Sequence, residues 1–179
     1  GSIAAAALSP DSIGAGDITL NTAALSMTDK GVIDNRSFGV GNAGSINITA
    51  HTAFLSGQSD INTNARNAGG GNIALNVRDR LELYDNSQIA AKSSGDKPED
   101  KGGNITISNP QLFVFDKSQI LADANSGNGG NLQINAAHFI ASYPFEIGEK
   151  IVFGETSVGE LSQKVGRINA SFLWNISPI

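Results

Sequence analysis

The sequence predicts an all-β protein that folds as a right-handed parallel β-helix of about five to six coils. The first observation is an internal repeat, because the phrase Gly-Gly-Asn-Ile-Thr-Ile at 102–107 returns in variant form along most of the chain. The second glycine of each copy stands at positions 16, 44, 71, 103 and 130, so the repeat length lies between 27 and 32 residues. Repeats of this size are typical of a solenoid, in which each unit stacks on its neighbours to bury its apolar side chains.

The second observation is a two-residue alternation inside each repeat. Apolar residues lie two apart in Ile-Thr-Ile (105–107) and again in Phe-Val-Phe (113–115). This period is that of a β-strand and not of a helix. Each copy predicts three short strands bounded by Gly, Asn, Asp or Ser, and therefore a triangular coil. Coils stacked about 4.8 Å apart form parallel sheets, for which the crossover rule favours a right-handed path.

Two inward ladders of apolar side chains are expected along the stack. The residues after each glycine phrase form the first ladder: Ile18, Leu20, Ile46, Ile48, Ile73, Leu75, Ile105, Ile107, Leu132 and Ile134. The single isoleucine of each third strand forms the second: Ile33, Ile61, Ile89 and Ile120.

The repeat pattern divides the chain into a β-helix region at 1–142 and an irregular C-terminal cap with a last coil at 143–179. The alanine-rich start at 3–15 leaves room for a partial preceding coil. The polar insertion at 93–101 must leave the coil as a loop, and we favour a mobile, solvated loop over a recognition loop. The chain is interpreted as a piece of a longer protein.

Composition excludes several classes of function. The net charge is −5 and no basic run occurs, so a nucleic-acid partner is not expected. The chain has no cysteine, which excludes disulfides and thiolate zinc sites and fits either a cytosolic protein or an exported bacterial surface protein. No apolar run approaches the length of about 18 residues that a membrane span requires.

The outward positions predict no catalytic residues, no cofactor site and no metal site. Outward positions of the second strand are assigned to Ser26, Leu55, Glu82 and Val114, and no outward column combines several carboxylates with a basic partner. Two polar groups recur, and for both we favour a structural role over the alternative, which is a metal or catalytic ladder for the acids and sugar binding for the asparagines. These groups are the corner acids Asp29, Asp85 and Asp116, and the asparagines Asn72, Asn104 and Asn131.

One candidate interaction surface follows from aligning the repeats. Leu112 and Val114 take the columns that hold Arg80 and Glu82 one coil earlier, and Phe139 is assigned to the same face one coil later. An exposed apolar strip of this kind normally meets another surface. Either the segment after position 142 covers it or a partner does, and we favour the internal cover.

The phrases at 41–48, 102–107, 116–124 and 127–134 together resemble filamentous haemagglutinin-like proteins, the large exoproteins of bacterial two-partner secretion. The resemblance covers about residues 13–142. It implies a right-handed β-helical shaft, export through an outer-membrane transporter partner, and adhesion at the bacterial cell surface to a glycan or protein receptor of a host cell or other surface. That family's secretion domain carries Asn-Pro-Asn motifs, whereas here Asn109-Pro110 is followed by Gln111. The chain therefore resembles a downstream passenger segment.

The function expected from the sequence is that of a non-enzymatic structural or adhesive passenger segment of a secreted bacterial surface protein. The alternative is a β-helix that binds or degrades polysaccharide. A glycan-degradation screen separates the enzymatic half of this alternative from the structural interpretation.

Overall fold

The computed structural model describes residues 1–141, 146–147 and 168–174 of the chain. Within these residues the regular secondary structure is β-strand, without a helix. The strands are β1 (Ser2–Ala7), β2 (Ile18–Met27), β3 (Val32–Ser37), β4 (Ile46–Leu55), β5 (Asp60–Ala65), β6 (Ile73–Leu83), β7 (Gln88–Ser93), β8 (Ile105–Ser108), β9 (Leu112–Phe115), β10 (Gln119–Leu121), β11 (Leu132–Ala141), β12 (Glu146–Ile147) and β13 (Ile168–Trp174).

The strands form two parallel sheets. The short-strand sheet has the order β1-β3-β5-β7-β10-β12. The long-strand sheet has the order β13-β11-β8-β6-β4-β2, and β9 pairs with β6 and β11 beside β8. Each coil contributes to both sheets, so the chain is a β-solenoid of about five turns. The predicted parallel β-helix is confirmed.

The first two predicted strands of a coil are joined in most coils. They form one continuous strand in β2, β4, β6 and β11, and they separate into β8 and β9 in one coil. That break falls at Asn109–Pro110, where Asn109 has a positive φ of 71° and proline supplies no N–H to a ladder. In β4 the alternation of buried and exposed side chains shifts by one residue at the corner, where His51 and Thr52 are both exposed.

Both predicted core ladders are present. Ile46, Ile73, Ile105 and Leu132 are register partners in successive coils, and each is at most 2% exposed. The third-strand isoleucines are register partners as well, in the order Ile33, Ile61, Ile89 and Ile120. Leu20 is only partly buried because β2 lies at the end of the long-strand sheet. The apolar interior is thus a continuous stack that every described coil extends.

The repeated second glycine has a steric cause. A Cβ at Gly103 would overlap the carbonyl oxygen of Gly71, and a Cβ at Gly71 would overlap that of Gly44. Gly130 stands in the same relation to Gly103. Successive coils therefore approach too closely at this corner for any side chain, which explains why the glycine recurs in each copy.

Both ends of the described stack contain more strand than the repeat pattern indicates. The alanine-rich start forms β1, which pairs with β3 as a partial coil. Glu146–Ile147 pairs with β10, although the sequence pattern predicts a break there. At the weak restart of the pattern, β13 pairs with β11, and Ile168 is the register partner of Leu132. The rest of the predicted C-terminal cap lies outside the described residues.

The insertion at 93–101 forms the predicted loop after its first residue, Ser93, which ends β7, and the loop is held by polar contacts. Asp100 is 5% exposed, and its Oδ2 accepts a hydrogen bond from the Lys97 N–H over 3.1 Å. The side-chain amide of Asn125 donates to Asp96 Oδ1 over 3.0 Å and joins the loop to the following coil. A buried carboxylate thus anchors this loop, in place of the apolar anchor that the sequence lacks.

Candidate functional site

The predicted apolar strip lies on the outer side of the long-strand sheet. Leu112 pairs with Arg80, and Val114 pairs with Glu82, as the repeat alignment predicts. Both apolar side chains are half-exposed. In the next coil, however, their partners are His138 and Ile140.

The assignment of Phe139 to this surface was wrong. Phe139 is 7% exposed and points into the core, where its ring centroid lies 5.1 Å from that of Phe113. Seven residues separate Leu132 from Phe139, whereas eight separate Ile105 from Phe113. Because side chains alternate between the two faces of a strand, this difference of one residue reverses the face.

The same error affects Leu55. It was assigned outward, but it is fully buried, and Phe54 takes the outward column between Ser26 and Glu82. The Phe54 ring lies 5.8 Å from the ring of Tyr84, centroid to centroid. The outward column therefore holds Phe54, then the charged Glu82, then Val114 and Ile140, so it is apolar in three of these four coils.

The polar corner between the two sheets is a stack of turns. An open cleft of about 420 Å³ is lined by Asp29, Lys30, Gly57, Gln58, Asp85 and Asn86. These six residues all have positive φ angles, which Gly, Asn and Asp adopt at least cost. The turns are joined by backbone hydrogen bonds from Lys30 to Gly57 and from Gln58 to Asp85. The backbone geometry supports the structural interpretation of the corner acids.

The asparagines after the glycine phrase connect successive coils. Asn104 donates both its backbone N–H and its side-chain amide to Asn72 Oδ1, over 2.9 and 3.1 Å. Asn131 donates its N–H to Asn104 Oδ1 over 2.8 Å. The structural interpretation of these residues is confirmed, because their amides form a ladder along the stack.

A charged cluster on the outer side of the short-strand sheet was missed by the sequence analysis. Arg36 Nε lies 2.6 Å from Asp34 Oδ2, and Asn62 donates to Asp34 Oδ1 over 3.0 Å. Asp60 stands diagonally one coil on, and its buried Oδ1 has no hydrogen-bond partner among the described residues. Burial raises the pKa of Asp60 to about 6; Lys92 and Arg36 oppose the increase and Asp34 adds to it.

The sequence does contain both carboxylates of this cluster, but they lie at different positions of the repeat, so they fall in different columns of the repeat alignment. Asp34 and Asp60 occupy different outward columns, since Asp34 pairs with Asn62 and Asp60 pairs with Val32. Reading one column at a time therefore separates two carboxylates that the sheet places on neighbouring strands. A diagonal reading of the same alignment would have brought them together.

A second cavity lies beside this cluster, and we call it the arginine notch. It has a volume of about 260 Å³ and is lined by Arg36, Ser37, Phe38, Asn64, Arg66 and Ser94. Ser94 Oγ donates to Asn64 Oδ1 over 3.0 Å. Nitrogen donors and one aromatic ring thus meet in a small concave site.

Fold and surface together define the class of protein: a parallel β-solenoid of stacked repeats with an apolar outer strip, a polar corner and a charged notch. No family model matches the chain, and no curated protein and no solved structure shows significant similarity to it. In the described part of the chain, no group of three or more His, Cys, Asp or Glu side chains is placed to hold a metal ion. The described residues contain no helix that is long and apolar enough to cross a membrane.

Proposed function

We propose that the chain is a structural and adhesive passenger segment of a large secreted bacterial surface protein of the filamentous haemagglutinin-like kind. The observation that carries the proposal is the continuous stack, in which the core ladders and the glycine corner repeat from coil to coil. Such a stack is a rigid rod, and its sides present a different set of side chains at each coil. A rod of this kind holds binding surfaces away from the cell that displays it.

Export and surface location belong to the same proposal. The chain has no cysteine, so it can cross a periplasm unfolded without forming disulfides. Parallel stacking lets each coil fold on the coil before it, which suits folding as the chain emerges from an outer-membrane transporter. Fractionation of the producing cells checks this part, because the protein should be found in the medium and outer-membrane fractions.

Adhesion is tested with the whole chain coupled to beads. Beads that carry the folded chain should attach to cells or glycan-coated surfaces, and beads that carry the heat-unfolded chain should not. The matched measurement is product release from the same glycans, which should equal the buffer blank. Attachment no better than that of the unfolded chain would contradict the adhesive part of the proposal.

A second candidate is a polysaccharide-degrading solenoid, and the cluster around Asp60 is what favours it. A carboxylic acid with a raised pKa is what glycoside hydrolysis requires of its general acid. The second carboxylate, Asp34, is already bound by Arg36 and Asn62, which makes it a weak nucleophile or base. Glycan turnover that disappears in Asp60→Asn would establish this candidate in place of the adhesive one.

A further inference from the structure

The arginine notch is built from equivalent positions of three successive coils. Arg36, Asn64 and Lys92 are register partners on β3, β5 and β7, and all three belong to the outward columns. Phe38, Arg66 and Ser94 directly follow these strands. Their backbone N–H groups donate to Ala7, Ser37 and Ala65 of the preceding coils in the same pattern. The backbone of the site is therefore fixed by the ladder itself.

The groups that face the notch are mostly hydrogen-bond donors. The exposed Arg66 side chain has no salt bridge in the part of the chain that the structure describes. Arg36 contacts Asp34 through Nε, which leaves the terminal nitrogens of its guanidinium for a ligand. Asn64 Oδ1 already accepts a hydrogen bond from the Ser94 hydroxyl, so the side-chain NH2 group of Asn64 remains as a donor. A set of donors of this kind selects an acceptor, and above all an anion.

The local charge also favours an anionic group in the notch, but one with a single negative charge. The whole chain has a net charge of −5, yet Arg36, Arg66 and Lys92 gather around this site. The carboxylates of Asp34 and Asp60 stand close by and repel a group that carries two negative charges in the notch, such as a phosphate dianion. A single planar carboxylate matches the fork of one guanidinium and carries one negative charge. The site therefore suits a carboxylate better than a phosphate dianion.

Size and shape decide what carries that carboxylate. The volume of about 260 Å³ is below the range of about 300–1,000 Å³ for pockets that enclose a whole small molecule, so one unit of a longer ligand fits. The half-buried Phe38 ring supplies an apolar wall against which a sugar ring can lie. Lys92 continues the donor column one coil beyond Asn64, so a second charged group can bind about 4.8 Å further along the stack.

We propose that the arginine notch binds the carboxylate of a uronic acid unit, and that the ligand is a linear acidic polysaccharide lying along the stack of coils. Arg66 and the free nitrogens of Arg36 hold the carboxylate. Asn64 donates to a neighbouring oxygen, and Phe38 packs against the ring. This inference rests on the adhesive function proposed above and specifies the chemical class of its ligand.

The test is a titration of the full chain with oligogalacturonate by calorimetry, beside fully methyl-esterified oligogalacturonate and poly-glutamate of similar length. The free acid should bind, the methyl ester should not, and poly-glutamate should bind at least tenfold more weakly. Arg66→Gln should weaken binding of the free acid by about tenfold or more, which is the loss expected for hydrogen bonds to a charged group. Arg78→Gln is the matched control, because Arg78 is exposed on the other sheet and paired with Asp79.

Three results would overturn the assignment: equal binding of acid and ester, equal binding of poly-glutamate, or full affinity in an Arg66→Gln variant that melts like the parent chain. The bead assay separates this outcome from failure of the proposed function. If Arg66→Gln beads lose oligogalacturonate and still attach to cells, the uronate ligand is not what mediates adhesion. If the parent chain binds oligogalacturonate and its beads fail to attach, the uronate ligand of the arginine notch is supported and the adhesive function is contradicted.

Discussion

Asn35 is a fully buried amide that joins the glycine corners of two successive coils. Its Oδ1 accepts a hydrogen bond from the Gly44 N–H over 3.0 Å, and its Nδ2 donates to the Gly16 carbonyl over 2.7 Å. One coil on, the register partner Thr63 donates its hydroxyl to Gly71 O over 2.7 Å. Small polar side chains inside the stack therefore satisfy the backbone groups of a corner that has no room for side chains of its own.

We expect Asn35→Ala to lower the free energy of unfolding by about 1–3 kcal/mol, because it removes the side-chain partner of the Gly44 N–H inside the stack. Chemical denaturation followed by circular dichroism measures the change. Asn47→Ala on the exposed face of β4 is the matched control and should change the stability little. Equal stabilities of the two variants would contradict the role given to Asn35.

Gly103→Ala should lower the free energy of unfolding by about 1–3 kcal/mol or more, because the new methyl group meets the Gly71 carbonyl and forces two coils apart. Gly16→Ala is a close control, since it changes the same glycine of the repeat where a Cβ meets nothing. Thermal unfolding of both variants checks the pair. If Gly16→Ala is as damaging as Gly103→Ala, the steric explanation of the repeat fails.

Ile105→Ala should cost about 2–5 kcal/mol of stability, because it opens a cavity in the middle of the first core ladder. Ile3→Ala, at the exposed end of the stack, should cost much less, since Ile3 is 46% exposed. Melting temperatures of the two variants measure the difference. An unchanged melting temperature for Ile105→Ala would show that the ladder has another register.

Asp60→Asn should stabilise the protein near pH 7 and lose this advantage near pH 4. The pKa of Asp60 is raised from 3.8 to about 6 in the folded state, so the folded protein holds this proton more tightly than the unfolded chain. The contribution of Asp60 to stability is therefore most favourable below about pH 4, and it is lost as the pH rises through 6. Asparagine carries no charge and avoids that loss.

Denaturation curves of the Asp60→Asn variant and the parent chain from pH 4 to pH 8 measure the effect. Asp11→Asn, a change at an exposed site, is the control and should show no such trend. Burial is the main cause of the raised pKa, and salt does not screen it. Of the charges that face Asp60, Lys92 and Arg36 lower its pKa and Asp34 raises it, so added salt should not abolish the trend. A difference between variant and parent that stays constant with pH would contradict the raised pKa.

Part of the surface followed from the repeat alignment and part did not. Leu112 and Val114 were placed correctly because their coil has the same length as the coil before it. Leu55 and Phe139 were misplaced because their coils hold one residue fewer between the two halves of the long strand. The corner between these halves accepts either length, and the composition of the corner does not indicate which length is used.

By itself, the sequence determined the repeat, the strand alternation and the identity of the core ladders, because a period of two and a recurring glycine are direct consequences of stacking parallel strands. Only the tertiary structure decided which side chains meet across neighbouring coils. Asp34 and Asp60 form one cluster, and Arg36 and Arg66 line one notch, although each pair is spread over two repeats. The physical reason is that these contacts run diagonally between stacked strands, so they depend on the register at every corner and not on any one phrase of the chain.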